Sequence, residues 1–368
     1  MLIEKDKRIV MTLDAGGTNF VFSAMQGGKE IVDTISLPSN ASNLDLCLET
    51  LVTGFSKIRK SLKKDPEAIS FAFPGPSDYP AGVIGDLPNL PAFRGGIALG
   101  PMLEREFKMP VFINNDGSLF TYGEAIAGFL PYINNLLEKG GSPKRYKNLI
   151  GFTLGTGFGG GIVMNGKLLV GDNSLGAEAW LLRDIYDLKT NVEESISIRA
   201  IKKGYASYAR IDLDAAPEPK EIFEVATGQI SGDSNAARKS YERMALALGE
   251  AMATVVTLVD GLVVIGGGIS AAHPMFLKKT VEAMNSAYTS PGGAKFPRLA
   301  EKVFNLEDTG SLQKFIQGAS REINIPRTKE KLMYDPLART GVGISRYGTS
   351  RSVALGAYAF ALDKLDEA

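Results

Sequence analysis

The sequence is poor in the residues that build disulfides and zinc sites. Its 368 residues include one cysteine, Cys47, and one histidine, His273. A single cysteine excludes an internal disulfide, and one residue of each type cannot form a closed four-ligand zinc site. Cys47 falls in an apolar helical pattern, so we interpret it as a small core residue.

The chain also lacks an excess of charge of either sign and a long apolar segment. Lysine plus arginine and aspartate plus glutamate both number 41, so the formal net charge is zero. We therefore expect no attraction to nucleic acid or to an anionic membrane. The longest apolar stretch, residues 251–269, contains Asp260 and three consecutive glycines, which argues against a membrane span. The charged first eight residues show no signal-peptide pattern, and a cytoplasmic protein is expected by elimination.

Two distant segments share one pattern. Residues 11–18 and residues 152–157 each form an apolar run that contains Thr-Leu and then reaches a glycine turn. In both segments a second apolar run, a further turn and a third run follow. This order predicts two copies of a unit of three strands joined by two turns. Glycine turns leave backbone N–H groups bare, so a phosphate can approach them. The repeat predicts a duplicated nucleotide-binding fold.

The rest of the chain alternates between predicted strands and helices, which is typical of an α/β sheet with helices on its faces. The length predicts about two domains. Residues 288–347 are polar, weakly periodic and rich in Gly, Pro, Lys and Arg, so we expect a long irregular surface excursion there. Helical patterns cover residues 43–64, 118–129, 195–209, 235–258 and 353–362.

The glycine turns have alternative explanations. Residues 155–160 match the dinucleotide fingerprint, but a strand and a turn are predicted after them, where that motif must open a helix. Residues 266–271 do follow a predicted strand, so a nicotinamide-dependent dehydrogenase stays open on this segment alone. For any one turn, a plain hairpin or strand-to-helix bend is an equally simple explanation.

The order of the motifs resembles that of the ROK family of bacterial glucokinases and related hexose kinases, within the actin/hexokinase/Hsp70 superfamily. Residues 14–19 resemble the first phosphate motif, residues 154–166 the second, and residues 264–270 the adenosine motif. Pro-Gly-Pro at 74–76, Pro-Asn-Leu-Pro at 88–91 and Asn-Asp at 115–116 follow the family order.

The resemblance implies a duplicated ribonuclease-H-like, actin-like ATPase fold of two α/β lobes with an interdomain cleft. The smaller lobe would comprise residues 1–116 plus 352–368, and the larger lobe residues 117–351. The implied reaction is ATP-dependent phosphorylation of a hexose in that cleft, with glucose at its 6-hydroxyl as the expected substrate. Closure on the sugar would exclude water as a competing acceptor.

The resemblance also assigns the nucleotide site. The residues implied to bind ATP are Asp14, Gly16, Gly17, Thr18, Asn19, Gly155, Thr156, Gly157, Gly159, Gly266, Gly267 and Gly268. Asp14 would hold Mg²⁺ through water, because magnesium keeps several waters and takes few carboxylates. No zinc is expected.

Asp116 follows a predicted buried strand, and the resemblance makes it the general base for the attacking hydroxyl. From the residues alone, an Asx turn or a helix N-cap explains Asn-Asp-Gly-Ser equally well. Asn115 offers a donor and an acceptor to sugar hydroxyls. Asn89, within Pro-Asn-Leu-Pro, is also implied to contact the sugar.

Sugar recognition is where the sequence departs from the family. Members carry a glutamate, a histidine three residues later, a zinc-binding cysteine cluster and a second glutamate. Glu178 matches the first glutamate, but Leu181 replaces the histidine and the cysteine cluster is missing. Glu193 matches the second glutamate better than Glu194, although an exposed helix start would explain both carboxylates. The loop between the two glutamates should then be held by apolar packing of Trp180, Leu181, Leu182, Ile185 and Leu188.

Other functions stay open at this level. A sugar-responsive repressor would need a helix-turn-helix before the first motif, and only 13 residues precede Asp14. A non-catalytic sugar- or nucleotide-binding member is compatible with the diverged sugar site. The expected partners are a small-molecule sugar and ATP, without nucleic acid or membrane, and a homodimer is one oligomeric state left open. The sequence does not choose among glucose, mannose, fructose and N-acetylated hexosamines.

Overall fold

The structure is a computed structural model that describes residues 3–16, 18–75, 77–87 and 92–367. Its strands are β1 Val10–Ala15, β2 Asn19–Gln26, β3 Lys29–Glu30, β4 Ile35–Pro38, β5 Ala68–Ala72, β6 Ser77–Asp78, β7 Val83–Ile84, β8 Val111–Asn114, β9 Leu149–Leu154, β10 Phe158–Met164, β11 Lys167–Leu168, β12 Leu262–Gly266, β13 Ala287–Thr289, β14 Lys295–Pro297, β15 Lys302–Asn305, β16 Arg321–Asn324, β17 Lys331–Tyr334 and β18 Arg339–Ile344.

Helices alternate with these strands, as the sequence predicts. They are α1 Leu44–Ser61, α2 Leu99–Phe107, α3 Asp116–Ile126, α4 Phe129–Lys139, α5 Ile198–Ala209, α6 Pro219–Ala226, α7 Ser234–Val259, α8 His273–Met284, α9 Thr309–Gln317 and α10 Thr349–Glu367. Short 3-10 turns lie at Ile3–Lys5, Ala179–Leu181, Val192–Ser195, Leu213–Ala215 and Gly268–Ala272. Within the described ranges, no helix combines the length and the apolar character needed to cross a bilayer.

The chain divides into two compact units, and each contains its own sheet. The first unit is built from residues 1–128, 166–177 and 347–368, and the second from residues 129–165 and 178–346. The mixed α/β, two-domain organisation confirms the predicted fold class.

In the first unit, the sheet has the strand order β3-β2-β1-β5-β8, and β4 also pairs with β2. Strands β1 and β2 are antiparallel, whereas β1, β5 and β8 run parallel. One face of the sheet packs on α1, and α10 contacts β1, β5 and β8. The apolar core against α1 includes Met11, Leu13, Phe20, Phe22, Phe55 and Phe71.

In the second unit, the strands lie in the order β10-β9-β12-β18-β15. Strands β9 and β10 are antiparallel, whereas β9, β12, β18 and β15 run parallel. Hence β9, β10, β12 and β18 repeat the arrangement of β1, β2, β5 and β8. The predicted duplication is confirmed at the level of strand order and direction.

Residues 288–347 are not the irregular excursion that the sequence predicts. They contain β15 and β18, and β18 pairs with both β12 and β15. The exposed hairpins β13–β14 and β16–β17 account for the polar composition. Strand β18 also carries Gly341 and Gly343, where a Cβ would lie 2.5 Å from Leu306 and from Phe129. Because close packing requires glycine at these two positions, β18 lacks the alternating apolar pattern by which a strand is predicted from sequence.

Candidate functional site

The first predicted phosphate motif forms a tight hairpin between β1 and β2. Asp14 lies near the end of β1, and Asn19 begins β2. A Cβ at Gly16 would lie 2.8 Å from the Asn19 carbonyl oxygen, so the turn itself requires glycine. Asp14, Thr18 and Asn19 are exposed. Gly17 lies outside the described residues, as does Asn89 of the predicted sugar site.

The predicted general base begins helix α3, directly after β8. The helix N-cap is Asn115, whose Oδ1 accepts hydrogen bonds from the backbone N–H groups of Gly117 at 2.8 Å and Ser118 at 3.4 Å. The capping function that the sequence offered as an alternative for Asp116 is therefore performed by Asn115. The side-chain amide of Asn115 can still donate to a ligand.

The sheet brings Asp14 and Asp116 to one edge. Because β1, β5 and β8 are parallel, their carboxyl ends meet there, and β1 and β8 are two strand spacings, roughly 10 Å, apart. Asp116 presents part of its surface to solvent, yet protein atoms crowd its carboxyl group. This desolvation raises the pKa of Asp116, and the charge of Asp14 raises it further, against a hydrogen bond from Gly117. A carboxylate with a raised pKa is a better proton acceptor.

Helix α3 is packed backbone to backbone against α10, which fixes the predicted base. A Cβ at Gly123 would lie 1.9 Å from the Ser352 carbonyl oxygen, and one at Gly356 would lie 1.8 Å from that of Leu119. The Ser352 hydroxyl also donates a 2.6 Å hydrogen bond to the buried carboxylate of Glu124. The two helices can therefore adopt this register only with glycine at both contacts.

The second predicted phosphate turn joins β9 to β10. The Gly155 N–H donates to the Gly157 carbonyl oxygen at 3.0 Å, which closes the turn around the exposed Thr156. A Cβ at Gly155 would meet no atom within 4 Å. A Cβ at Gly157 would lie 2.7 Å from Glu193 Oε2, and one at Gly159 would lie 2.4 Å from a hydroxyl across the hairpin. The turn is open on the Gly155 side and closely packed on the other.

The predicted adenosine motif lies beside this turn. Gly266 ends β12, and Gly267 has φ of +86°, which directs the chain into the 3-10 turn that begins at Gly268. A Cβ at Gly267 would lie 2.2 Å from the Leu154 carbonyl oxygen, at the end of β9. Gly268 is exposed, with open space where a Cβ would stand. The second unit thus brings two glycine segments together.

The two predicted sugar glutamates lie in neighbouring 3-10 segments of the second unit. Glu178 precedes Ala179–Leu181, and its Oε2 accepts a hydrogen bond from the indole N–H of Trp180. Glu193 lies in Val192–Ser195, and its Oε2 accepts a 2.9 Å hydrogen bond from the Phe158 N–H. The two segments contact each other.

The loop between Glu178 and Glu193 is not held by the apolar packing that the sequence predicts. None of the five apolar side chains proposed for this purpose is buried. The exposed fractions of Leu181, Ile185 and Leu188 are 58%, 42% and 64%. That prediction is wrong.

A buried carboxylate organises the loop instead. Asp184 is 3% exposed, and it accepts hydrogen bonds from the Ser195 hydroxyl at 2.8 Å and from the Tyr186 N–H at 3.2 Å. The Arg243 guanidinium stacks over the Tyr186 ring, 3.6 Å from its centroid. Within the ranges that the structure describes, no group of three His, Cys, Asp or Glu side chains could hold a metal ion.

Comparison with known proteins identifies the family. Residues 10–302 match the sequence model of the ROK family, which confirms the resemblance of the motifs. The chain is 27% identical to a glucokinase from Halalkalibacterium halodurans, over 77% of this chain and 88% of that protein. It is also 27% identical to an N-acetyl-D-glucosamine kinase from Vibrio parahaemolyticus, over 70% of this chain and 83% of that protein.

Solved structures show the same relationship. A glucokinase from Parabacteroides distasonis is 52% identical, with a TM-score of 0.90 over 99% of both chains. A ROK family glucokinase from Streptomyces griseus, in complex with glucose and AMPPNP, is 18% identical, with a TM-score of 0.59 over 95% of this chain and 98% of that chain. The second comparison concerns the fold alone.

Proposed function

We propose that this protein, which belongs to the ROK family, transfers the γ-phosphoryl group of ATP to a hexose. The observation that carries the proposal is the Asp116 carboxylate, whose pKa is raised by the protein atoms that crowd it, at the sheet edge that also bears the first phosphate hairpin. Relatives named glucokinase and N-acetyl-D-glucosamine kinase support a sugar as the acceptor. The Streptomyces griseus protein, which shares the fold, was solved with AMPPNP, an analogue of the proposed donor ATP.

The reaction needs a deprotonated nucleophile at the moment of transfer. A sugar hydroxyl oxygen would attack the γ-phosphorus, the bond from that phosphorus to the β–γ bridging oxygen would break, and ADP would leave. Asp116 would accept the hydroxyl proton, for which its raised pKa suits it. The Asn115 amide would donate to a neighbouring sugar oxygen, while Glu178 and Glu193 would accept from sugar hydroxyls.

The glycine segments would hold the nucleotide. A Cβ at Gly155 or Gly268 would stand in open space, so phosphate or ribose oxygens can approach the backbone there without meeting a side chain. At the first hairpin, Asp14, Thr18 and Asn19 offer exposed polar groups. Positioning and electrostatic stabilisation supply most of the catalysis in phosphoryl transfer.

Mg²⁺ fits this donor set. Asp14 is an exposed carboxylate, and magnesium commonly binds through one or two carboxylates while it keeps several waters. When bound, the ion neutralises phosphate charge. We propose that Asp14 holds it through water.

Glucose is the first candidate substrate, and N-acetyl-D-glucosamine is the second. The 52% identical structure is named glucokinase, which favours glucose. Two relatives of equal identity, 27%, carry the two different names, which keeps the hexosamine as a candidate. Leu181 is exposed and stands at the position of the family histidine. The chain therefore lacks a polar group there that would help to distinguish the two sugars.

A coupled assay for ADP release tests the proposal with glucose, mannose, fructose and N-acetyl-D-glucosamine. We expect glucose to support the highest kcat/KM. Asp116→Asn should lower kcat by at least about 100-fold and leave sugar affinity much less changed. The matched control is Glu106→Gln, an exposed carboxylate on α2 of the same unit, which should keep wild-type turnover.

Two outcomes would contradict the proposal. Near-normal turnover of Asp116→Asn would remove Asp116 from the mechanism. Binding of nucleotide and sugar without ADP release would identify a non-catalytic member of the family.

A further inference from the structure

The second phosphate turn is tied at both ends to one short segment of the same unit. The Phe158 N–H, which follows the turn, donates to Glu193 Oε2 at 2.9 Å. The carbonyl oxygen of Gly155, which begins the turn, accepts from the Ile198 N–H at 2.9 Å. Residues 193–198 therefore form a bracket that sets the position of the turn.

The bracket is itself well fixed. The Ser197 side chain is fully buried and caps α5 by accepting from the Ala200 N–H at 3.3 Å. Before Glu193, the Val192 N–H donates to the Leu182 carbonyl oxygen at 2.7 Å, which ties the bracket to the loop that follows Glu178. The loop, the bracket and the turn are thus joined by hydrogen bonds.

Gly157 shows how closely Glu193 approaches the turn. A Cβ at Gly157 would lie only 2.7 Å from Glu193 Oε2. Glycine is required at this position so that the carboxylate can reach the Phe158 N–H. The family resemblance of the motif implies phosphate contact for the same glycine.

The two oxygens of Glu193 have different surroundings. Oε2 accepts from Phe158, whereas the nearest cation to Oε1, the Arg199 guanidinium, is 3.9 Å away, beyond hydrogen-bonding distance. An ionised carboxylate has about four acceptor positions, so Oε1 retains capacity for a hydroxyl donor. The side chain is 26% exposed, which leaves it accessible to a ligand.

We propose that Glu193 is a positioning residue that couples sugar binding to nucleotide affinity. This inference rests on the proposed hexose kinase function. Glu193 holds the second phosphate turn through Oε2, and a sugar hydroxyl that donates to Oε1 fixes the orientation of the whole carboxylate. Sugar binding then stabilises the turn in its nucleotide-binding position, and linkage requires that nucleotide strengthens sugar binding by the same factor.

Calorimetry with AMPPNP, Mg²⁺ and glucose tests the coupling in the full-length chain. In the absence of sugar, Glu193→Ala should weaken AMPPNP binding by roughly 10-fold to 100-fold, because a charge-assisted hydrogen bond to the turn is lost. In the wild type, glucose should strengthen AMPPNP binding, and Glu193→Ala should abolish that enhancement. Glu193→Gln keeps an acceptor for the Phe158 N–H and should restore most of the sugar-free affinity.

The adjacent acid supplies the matched control. Glu194 pairs with Arg199 and, at 2.8 Å, with Lys203, and within the described residues its side chain forms no hydrogen bond with the turn. Glu194→Ala should leave AMPPNP affinity and the glucose enhancement at wild-type values. Equal losses in Glu193→Ala and Glu194→Ala would indicate general destabilisation of the bracket and would overturn the proposal.

The outcomes separate this inference from the proposed function. If Glu193→Ala weakens only glucose binding and leaves AMPPNP affinity unchanged, the positioning role is wrong while the kinase function stands. If no hexose supports ADP release but Glu193→Ala weakens AMPPNP binding, the proposed kinase function is wrong. The role of Glu193 in positioning the second phosphate turn would then still stand. Loss of AMPPNP affinity with an unchanged glucose enhancement refutes the coupling.

Discussion

Replacement of Gly123 by alanine tests whether the α3–α10 contact positions Asp116, the proposed general base. The new Cβ would lie 1.9 Å from the Ser352 carbonyl oxygen, which belongs to the backbone and cannot move aside as a side chain could. Non-bonded heavy atoms pack at about 3.5–4.0 Å, so the helices must separate by more than about 1 Å.

Two opposing effects set the expected magnitude. Alanine is a better helix former than glycine by about 1 kcal/mol, which would stabilise a helix without neighbours. Overpacking costs about 1–3 kcal/mol, and a backbone contact favours the upper end of that range. We therefore expect a net loss of about 2 kcal/mol in the free energy of unfolding, and a roughly 10-fold to 100-fold fall in kcat, because Asp116 begins the displaced helix.

Urea unfolding and steady-state kinetics of the variant measure both effects. The matched control is Gly310→Ala in α9, where the new Cβ would meet only Asp308 Oδ1, at an ordinary 3.5 Å. This control should raise stability by about 0.4–1 kcal/mol and leave kcat unchanged. A Gly123→Ala protein that is as stable and as active as the wild type would refute the argument that this contact fixes the base.

Two further predictions concern Asp116 and Asp184. Because desolvation raises the pKa of Asp116, kcat/KM should fall as the pH drops through a value above that of an ordinary aspartate, as a pH–rate profile will show. The raised pKa also means that the Asp116 contribution to stability is present at low pH and is lost as the pH rises through that value. Asp116→Asn should therefore unfold at a higher temperature at neutral pH, and an equal or lower midpoint would contradict the desolvation argument. Asp184→Ala should leave the Ser195 hydroxyl without its acceptor and loosen the loop; faster proteolysis between residues 178 and 193 is expected, and wild-type resistance would argue against it.

The duplicated hairpins could be predicted because their determinants are local. An apolar run that ends in a glycine turn and resumes as a second apolar run leaves few alternatives to a hairpin, and β1–β2 and β9–β10 follow that pattern. The identity of the helix cap could not be chosen in the same way. Asn115 and Asp116 both suit an N-cap, and only the path of the backbone after β8 selects Asn115.

The polar support of the site could not be predicted from sequence. Asp184 looks like any loop carboxylate until the fold buries it beside Ser195. The Phe158 N–H is a backbone group, so nothing in the sequence marks it as the partner of Glu193. Gly157 indicates in the sequence that a close approach occurs at this position. It does not distinguish a phosphate from a protein carboxylate as the group that approaches.

The contact between α3 and α10 also has a consequence for biosynthesis. The two glycine contacts join residues near 120 to residues near 355, and the whole second unit is encoded between them. At about 5–20 residues per second, a ribosome would need roughly 10–50 s to make the intervening chain. During that interval α10 has not been synthesised, so one face of the first sheet has no covering helix. The second unit can be complete before α10 is made. The nascent chain would thus form the packing of α10 against α3 only after the second unit has been made.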